Sequence, residues 1–532
     1  MKRTFFVLSW LAAGLQVLAA DYYVSSINPG RSDANPGTSP SAPWSTFDKI
    51  KAKWPTLKAG DTVHIERGSE WKLTFSSDYW YVNAGGSASG GPITLRGDDY
   101  GSGAKPIPIV HRVGGGSGGC FIYVQRSYVT VRDFVLDGGH GDYGCDTLGV
   151  AIGNDGVDIS NVTVKNLTIR NLGGDRTKYI CGIWITSQGH AVSDSLIEGN
   201  AVSDYSAHGL NHYSPGPMIN ITWRNNIVRN AYTGGRYPSA NSGLQITSGS
   251  RGCVFEYNYL EDTTTTEGCL LAFGKYAGDT GGNTIRFNVA ANSAGFGILF
   301  TMDQPGKKLL YDIYGNILVN NTRSGLAITP YDTYAAGTVF NVFNNTFYNN
   351  CRGGATDSGK GSVAIDNMAL NTTISFRNNL VCHGNYGSSV GLSVDDGFNG
   401  SLNHDHNLYW HTGGAAKTVV RCAGTFTPTS IRTFEATAQG SDPLWVDAAS
   451  VPVTVSSTTG VNPDGLGVQL ASKASANGWD LGSSFAQDID RQSRTPPWSI
   501  GAYQAASTSP SDPTSVSTPS PPTNFRAIVN DP

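Results

Sequence analysis

Ionisable side chains gather beside one recurring strand phrase in the middle of the chain. In order they are Asp204, His208, Glu261, Asp262, Glu267, Lys275, Asp303, Asp332, Asp366, Asp395 and Asp396. Only 15% of the residues are charged, so a row of carboxylates along one line is not what a plain stalk needs. Two chemistries fit these residue types. The first removes a proton next to a carboxylate, which takes a base and a cation that steadies the developing charge. Lys275 is the candidate base, with His208 as a further catalytic candidate. Asp303, Asp332, Asp366 and Asp395 would be calcium ligands, because hard oxygen donors suit that ion. Arg236 and Arg323 are candidate clamps for a substrate carboxylate. The second chemistry is hydrolysis by a carboxylate pair, drawn from Glu267 with Asp303 or Asp303 with Asp332.

Positioning such a row requires a repeating scaffold. The phrase runs Gly182-Ile183-Trp184-Ile185-Thr186, Gly209-Leu210-Asn211-His212-Tyr213 and Gly243-Leu244-Gln245-Ile246-Thr247. It returns at Leu270–Gly274, Gly297–Thr301 and Gly325–Thr329, with weaker copies at Ser362–Asp366 and Gly391–Asp395. Its first residues lie 27, 34, 27, 27, 28, 37 and 29 apart. Apolar and variable positions alternate, which is a strand period. Strand-and-turn repeats of this length predict a solenoid of stacked coils. The predicted register turns 183, 210, 244, 271, 298 and 326 inward, with 185, 212, 246, 273, 300 and 328. Trp184, Asn211, Gln245, Ala272, Leu299 and Ala327 then face out. His212 is anomalous there, since it occupies an apolar slot; a bulge or a buried, hydrogen-bonded ring would explain it.

A second phrase carries Asn at a corner, as in Ile221–Asn230, Ile313–Asn320, Val342–Phe347 and Ile374–Val381. Asn tolerates left-handed backbone, and stacked Asn residues can bond along a ladder. These residues are therefore structural. Aromatic side chains supply a further clue, because stacked sugars need ring faces with polar rims. Tyr205, His208, Tyr213, Tyr232 and Tyr237 on adjacent coils form the expected groove wall.

The bulk composition agrees with a β-rich exported chain. Of 532 residues 66 are Gly, and 37 Lys and Arg are offset by 41 Asp and Glu, for a net charge of -4. That balance excludes a basic nucleic-acid surface. Residues 1–20 read as a secretory signal: Lys2 and Arg3, an apolar run from Phe5 to Leu18, then Ala19 and Ala20. No later stretch is apolar enough to span a membrane. The eight cysteines allow disulfides, with Cys253–Cys269, Cys351–Cys382 and Cys120–Cys145 as plausible pairs. Asn161, Asn166, Asn220, Asn320, Asn344 and Asn371 lie in glycosylation triplets, which the coil repeat produces in any case.

Residues 21–110 form the expected N-terminal cap and first coils, with a helix starting in Pro43–Ile50 and ended by Pro55. Residues 111–410 are the coil core, 411–504 the last coils and an irregular C-terminal cap. Residues 505–532 are a Ser/Thr/Pro linker or tail; Pro521–Arg526 resembles the start of an appended β-sandwich module or surface attachment.

The run Tyr22, Asn35-Pro36-Gly37-Thr38, Pro43–Phe47 and Gly60-Asp61-Thr62-Val63 resembles the opening of secreted right-handed parallel β-helix proteins of the pectate-lyase-like superfamily. The resemblance extends from about 22 to 503. It implies an all-β parallel β-helix that acts on, or binds, polysaccharide. Calcium-assisted lyases with a Lys or Arg base occur among these relatives, and so do glycoside hydrolases. Gly139-His140-Gly141 and Asp395-Asp396 stand in the wrong order for the polygalacturonase-type pattern. The expectation is thus a monomeric, extracellular polysaccharide-degrading enzyme without an organic cofactor. A lyase on a uronic-acid glycan stands ahead of a hydrolase, and a non-catalytic glycan-binding protein is the third reading.

Overall fold

A computed structural model describes residues 19–74, 80–113, 119–139, 148–153, 156–172, 179–187, 189–213, 215–231, 242–247, 249–261, 267–274, 280–354, 360–447 and 463–505. Residues 1–18 and 506–532, which take in most of the expected signal segment 1–20 and of the expected tail 505–532, lie outside them. The chain winds as a right-handed parallel β-helix. Three long sheets run its length. One has 13 strands from Asp21–Val24 to Ser401–Asp405, the second 12 from Glu70–Leu73 to Leu408–His411. The third, here the front sheet, has 13 strands and carries the recurring phrase, from Tyr81–Val82 to Thr425–Phe426. A fourth sheet of four short strands widens the coils between Ile159–Ser160 and Ser250–Arg251. Among the described residues the strands of these sheets pair in parallel, except where Val420–Arg421 folds back on Thr425–Phe426; isolated antiparallel bridges such as Trp445 with Val468 lie outside the sheets.

The glycine that opens the front-sheet phrase is required by packing. A methyl group at Gly182 would sit 2.3 Å from Val202 Cγ1, and one at Gly209 2.2 Å from Val228 Cγ1. The front sheet here turns its backbone into the second sheet, leaving no room for a side chain. The expected inward register holds for Ile183, Leu210, Leu244, Ile298 and Leu326, all at most 1% exposed. It fails by one residue in one coil. Leu244 pairs with Leu270, which pairs with Ile298, so Leu270 and Ala272 point inward while Leu271 and Phe273 point out. The phrase there begins at Cys269, and Leu270-Leu271-Ala272-Phe273 offers apolar residues to both faces, which hides the slip.

The Asn corners divide into two jobs. In each Asn-Asn pair the first residue takes positive φ, as at Asn225, Asn344 and Asn378 (55°, 52° and 55°). At 225–226, 344–345 and 378–379 the second enters a buried ladder running Asn200, Asn226, Asn258, Asn288, Asn316, Asn345, Asn379 and Asn407, whereas Asn321 and Asn350 bond each other in a separate column. Each amide oxygen of the ladder accepts the backbone and side-chain N–H of the Asn one coil earlier, at 2.8–3.2 Å. Glu435 terminates the ladder: its carboxylate accepts from Asn407 N and Nδ2 at 2.7 and 3.0 Å, and from the Tyr409 hydroxyl at 3.1 Å.

The N-terminal cap is the helix Phe47–Lys53 continued by a 3-10 turn Trp54–Thr56 that contains Pro55. Phe47 and Trp54 meet Trp80 edge to face, closing the first coil. The C-terminal region does two things. Residues up to about 440 close the last coil, with Val420, Ile431 and Ala438 in the core. The rest then runs back along the outside of the second sheet, where Trp445, Leu466, Val468, Ile500 and Tyr503 cover Ile317, Tyr348, Leu380 and Leu408. Burial along that sheet reflects this covering: its early strands alternate, as in Ala201–Ser203, whereas Ile317–Val319 and Leu380–His383 are buried on both faces.

Candidate functional site

Side chains on the outside of the front sheet form columns, because register is kept from coil to coil at about 4.8 Å per step. One column begins polar and aromatic, with Tyr123, Trp184, Asn211 and Gln245. It becomes apolar through Leu271, Leu299, Ala327 and Ala364, and ends at Ser393 and Arg421. A parallel column carries Thr186 beside Tyr213 in the early coils, and Phe273 beside Thr301 in the middle ones. It ends in Thr329, Asp366 and Asp395 on three successive coils.

Of the four carboxylates expected to share an ion, the structure brings two together. Asp366 and Asp395 line one small recess with Thr329, Lys360 and Ser393. Lys360 Nζ lies 3.2 Å from Asp395 Oδ1. Asp366 Oδ1 accepts the Met368 N–H at 2.9 Å. Asp303 and Asp332 line a different stretch of edge: Asp303 is exposed just past the strand Ile298–Met302, and Asp332 accepts its neighbour's Thr333 N–H at 2.8 Å. Among the described residues no group of three or more His, Cys, Asp or Glu gathers to hold a metal.

The remaining candidates scatter. Tyr205 is 1% exposed in the core, so it lines no groove. His208 is fully buried; its Nδ1 accepts the Ser242 N–H at 3.2 Å, its ring packs edge-on against Tyr179, and burial pushes its pKa down to about 3. An imidazole held so far below neutrality is a poor general base near pH 7. Tyr213 is half-buried on the outer face, 6.2 Å from Trp184. Glu267 is half-buried directly before the strand Gly268–Gly274. The Arg323 guanidinium stacks over Phe296 at 5.2 Å. Lys275, Tyr232, Arg236 and Tyr237 lie outside the described residues.

Two further expectations resolve. His212 stays in register and is buried: its Nδ1 accepts Trp223 Nε1 at 3.1 Å, and its Nε2 meets Ser250 Oγ at 2.7 Å. The seven described cysteines are thiols, so the expected Cys253–Cys269 and Cys351–Cys382 bridges are absent, and Cys145 of the third pair lies outside the described residues. Cys269 donates instead to the Leu260 and Ala291 carbonyls. Asn320 and Asn344 are at most 2% exposed, which removes them as glycan acceptors. Sequence reading missed Lys360 and Tyr179 as site residues. Trp184 and Asn211 carried a usable signal, since both sit in outward slots where most neighbours are small or apolar.

No family model matches the chain. A curated relative, lacto-N-biosidase from Bifidobacterium longum subsp. longum, is 31% identical over 150 residues, which are 28% of this chain and 8% of that protein. The match therefore spans less than a tenth of the relative's length. Among solved structures, GH136 lacto-N-biosidase from Eubacterium ramulus aligns with a TM-score of 0.47 and 14% identity, over 73% of this chain and 67% of that one. Pectate lyase Pel9A aligns with a TM-score of 0.48 and 14% identity, over 92% and 98%.

Proposed function

We propose that the protein is an extracellular glycan-degrading enzyme that cleaves its substrate by hydrolysis on the outer face of the front sheet, with Asp366 and Asp395 as the reacting carboxyls. The observation that carries this reading is their placement in one recess at equivalent positions of adjacent coils. A coil step of about 4.8 Å is close to the separation of roughly 5–5.5 Å used by retaining glycosidases. The two carboxyls also differ in their neighbours. Lys360 pairs with Asp395 alone, which suits Asp395 to attack the anomeric carbon and Asp366 to protonate the leaving oxygen. After glycosyl transfer to Asp395, Asp366 would take a proton from the incoming water. The local likeness to a lacto-N-biosidase supports a hydrolase over the lyase expected from Lys275.

The test is product analysis on a panel of neutral and uronate-containing glycans. New reducing ends without the ultraviolet absorbance of an unsaturated uronic product, lost in Asp366→Asn and Asp395→Asn, are expected. Absorbance rising together with reducing ends would overturn hydrolysis in favour of elimination.

A further inference from the structure

The N-terminal part of the front sheet holds buried polar groups with no hydrogen-bond partner among the described residues. Asn211 is fully buried on the outward column. Its Nδ2 donates to the Tyr179 hydroxyl at 2.9 Å, and that hydroxyl donates on to Gln245 Oε1 at 3.4 Å. Asn211 Oδ1 has no hydrogen-bond partner among the described residues. Neither does Trp184 Nε1, one coil earlier in the same column, nor Thr186 Oγ1, which is 1% exposed. A buried donor or acceptor left unmade destabilises the fold, so three on one outward patch need an explanation.

Their chemistry is specific. Oδ1 needs a donor, the indole N–H needs an acceptor, and the threonine hydroxyl takes either. A ligand hydroxyl supplies both roles. The side chains forming the patch carry no charge, and burial keeps the neighbouring His208 neutral. Half-buried rings stand at the rim: Trp184 lies 6.4 Å from Tyr179 and 6.2 Å from Tyr213, both near-perpendicular to it. Apolar ring faces above a floor of hydrogen-bonding groups suit a sugar, which has C–H faces and hydroxyl edges.

We propose that Trp184, Thr186 and Asn211, with Tyr179 and Tyr213 at the rim, form a binding subsite for a neutral, hydroxyl-rich sugar ring. This deepens the hydrolase reading, because the subsite shares the face of the Asp366–Asp395 recess. The two lie six coils apart, about 29 Å at ~4.8 Å per coil. A disaccharide cannot reach both. The subsite therefore selects longer chains and anchors them well away from the cleaved bond.

The experiment uses the full chain carrying Asp366→Asn to stop turnover, on an array of neutral and uronate-containing oligosaccharides of increasing length. Binding to a neutral oligosaccharide should weaken at least about tenfold in Trp184→Ala and in Asn211→Ala. Trp184→Phe, which keeps the apolar body and removes only the N–H, should fall between and guards against misfolding. Neutral binding that none of these variants weakens overturns the subsite, as does an array that binds only uronate glycans or nothing. Because the readout is binding, it separates from the proposed hydrolysis. Trp184-dependent binding with wild-type turnover unaffected by Asp366→Asn would sink the carboxylate assignment and leave the subsite standing.

Discussion

His212 makes the stability of the central coils depend on acid in a calculable way. Its Nδ1 is occupied by the Trp223 N–H and its Nε2 faces Ser250 Oγ, which in turn donates to the Thr247 carbonyl at 3.0 Å. Protonating Nδ1 would set two donors against each other inside the core. Burial accordingly pushes the pKa from 6.5 to about 3. The folded pKa lies below the unfolded one, so the stabilisation is complete above pH 6.5 and is lost as pH falls from 6.5 toward 3. At pH 4.5 the unfolded imidazole has bound a proton that the folded one has refused, which costs roughly 3 kcal/mol. Hydrogen exchange of peptides covering Leu210–Tyr213 and Thr222–Arg224 reads the opening free energy of this coil directly. The wild type should lose about 1.4 kcal/mol per pH unit below 6.5 from this group. His212→Gln, which can still accept from Trp223 and donate to Ser250, should flatten the slope by that amount whatever its absolute stability. An unchanged slope in the variant would refute the argument that a buried neutral imidazole sets the dependence.

Other tests address different parts of the fold. Gly182→Ala should destabilise by about 1–3 kcal/mol in chemical denaturation, because the new methyl meets Val202 at 2.3 Å. Glu435→Leu leaves the Asn407 amide donors and the Tyr409 hydroxyl without their acceptor, and a loss of about 3 kcal/mol is expected from the same assay. Unfolding without reductant should expose at least seven thiols to an alkylating reagent, read by mass spectrometry; fewer would mean that bridges form among the cysteines described as thiols.

Much of this architecture was written in the sequence, because a solenoid repeats its instructions. The phrase from Gly182 and its echoes marked one sheet, and the Asn-Asn pairs marked the two corners that flank the second. Each signal appears many times, so errors in any one copy do not matter to the whole. The slip at Leu271 shows the limit: four apolar residues in a row satisfy either register, and only pairing to Leu244 and Ile298 decides it. The thiols were misread because even cysteine counts suit exported proteins, whereas these side chains serve as small core residues. The candidate site was less legible. Asp366 and Asp395 end two copies of the phrase, so their stacking follows from the repeat. Lys360 lies outside the phrase, and its ion pair follows from where the chain between coils returns. Tyr205 and His208 precede the regular part of the phrase, so periodicity does not encode that Tyr205 turns into the core and His208 is buried.

The asparagine column has an electrical consequence. Every amide in it points the same way, carbonyl toward the N-terminal coil and N–H toward the C-terminal one. Aligned amides add their dipoles as the peptide groups of a helix do, and hydrogen-bonded chains polarise their members further. The positive end of this column falls on Asn407, where the Glu435 carboxylate is seated. An anion at that end is the side-chain counterpart of an acidic residue at a helix N-terminus. The stack thus carries its own polarity, and the carboxylate marks the coil at which growth by further amides stops.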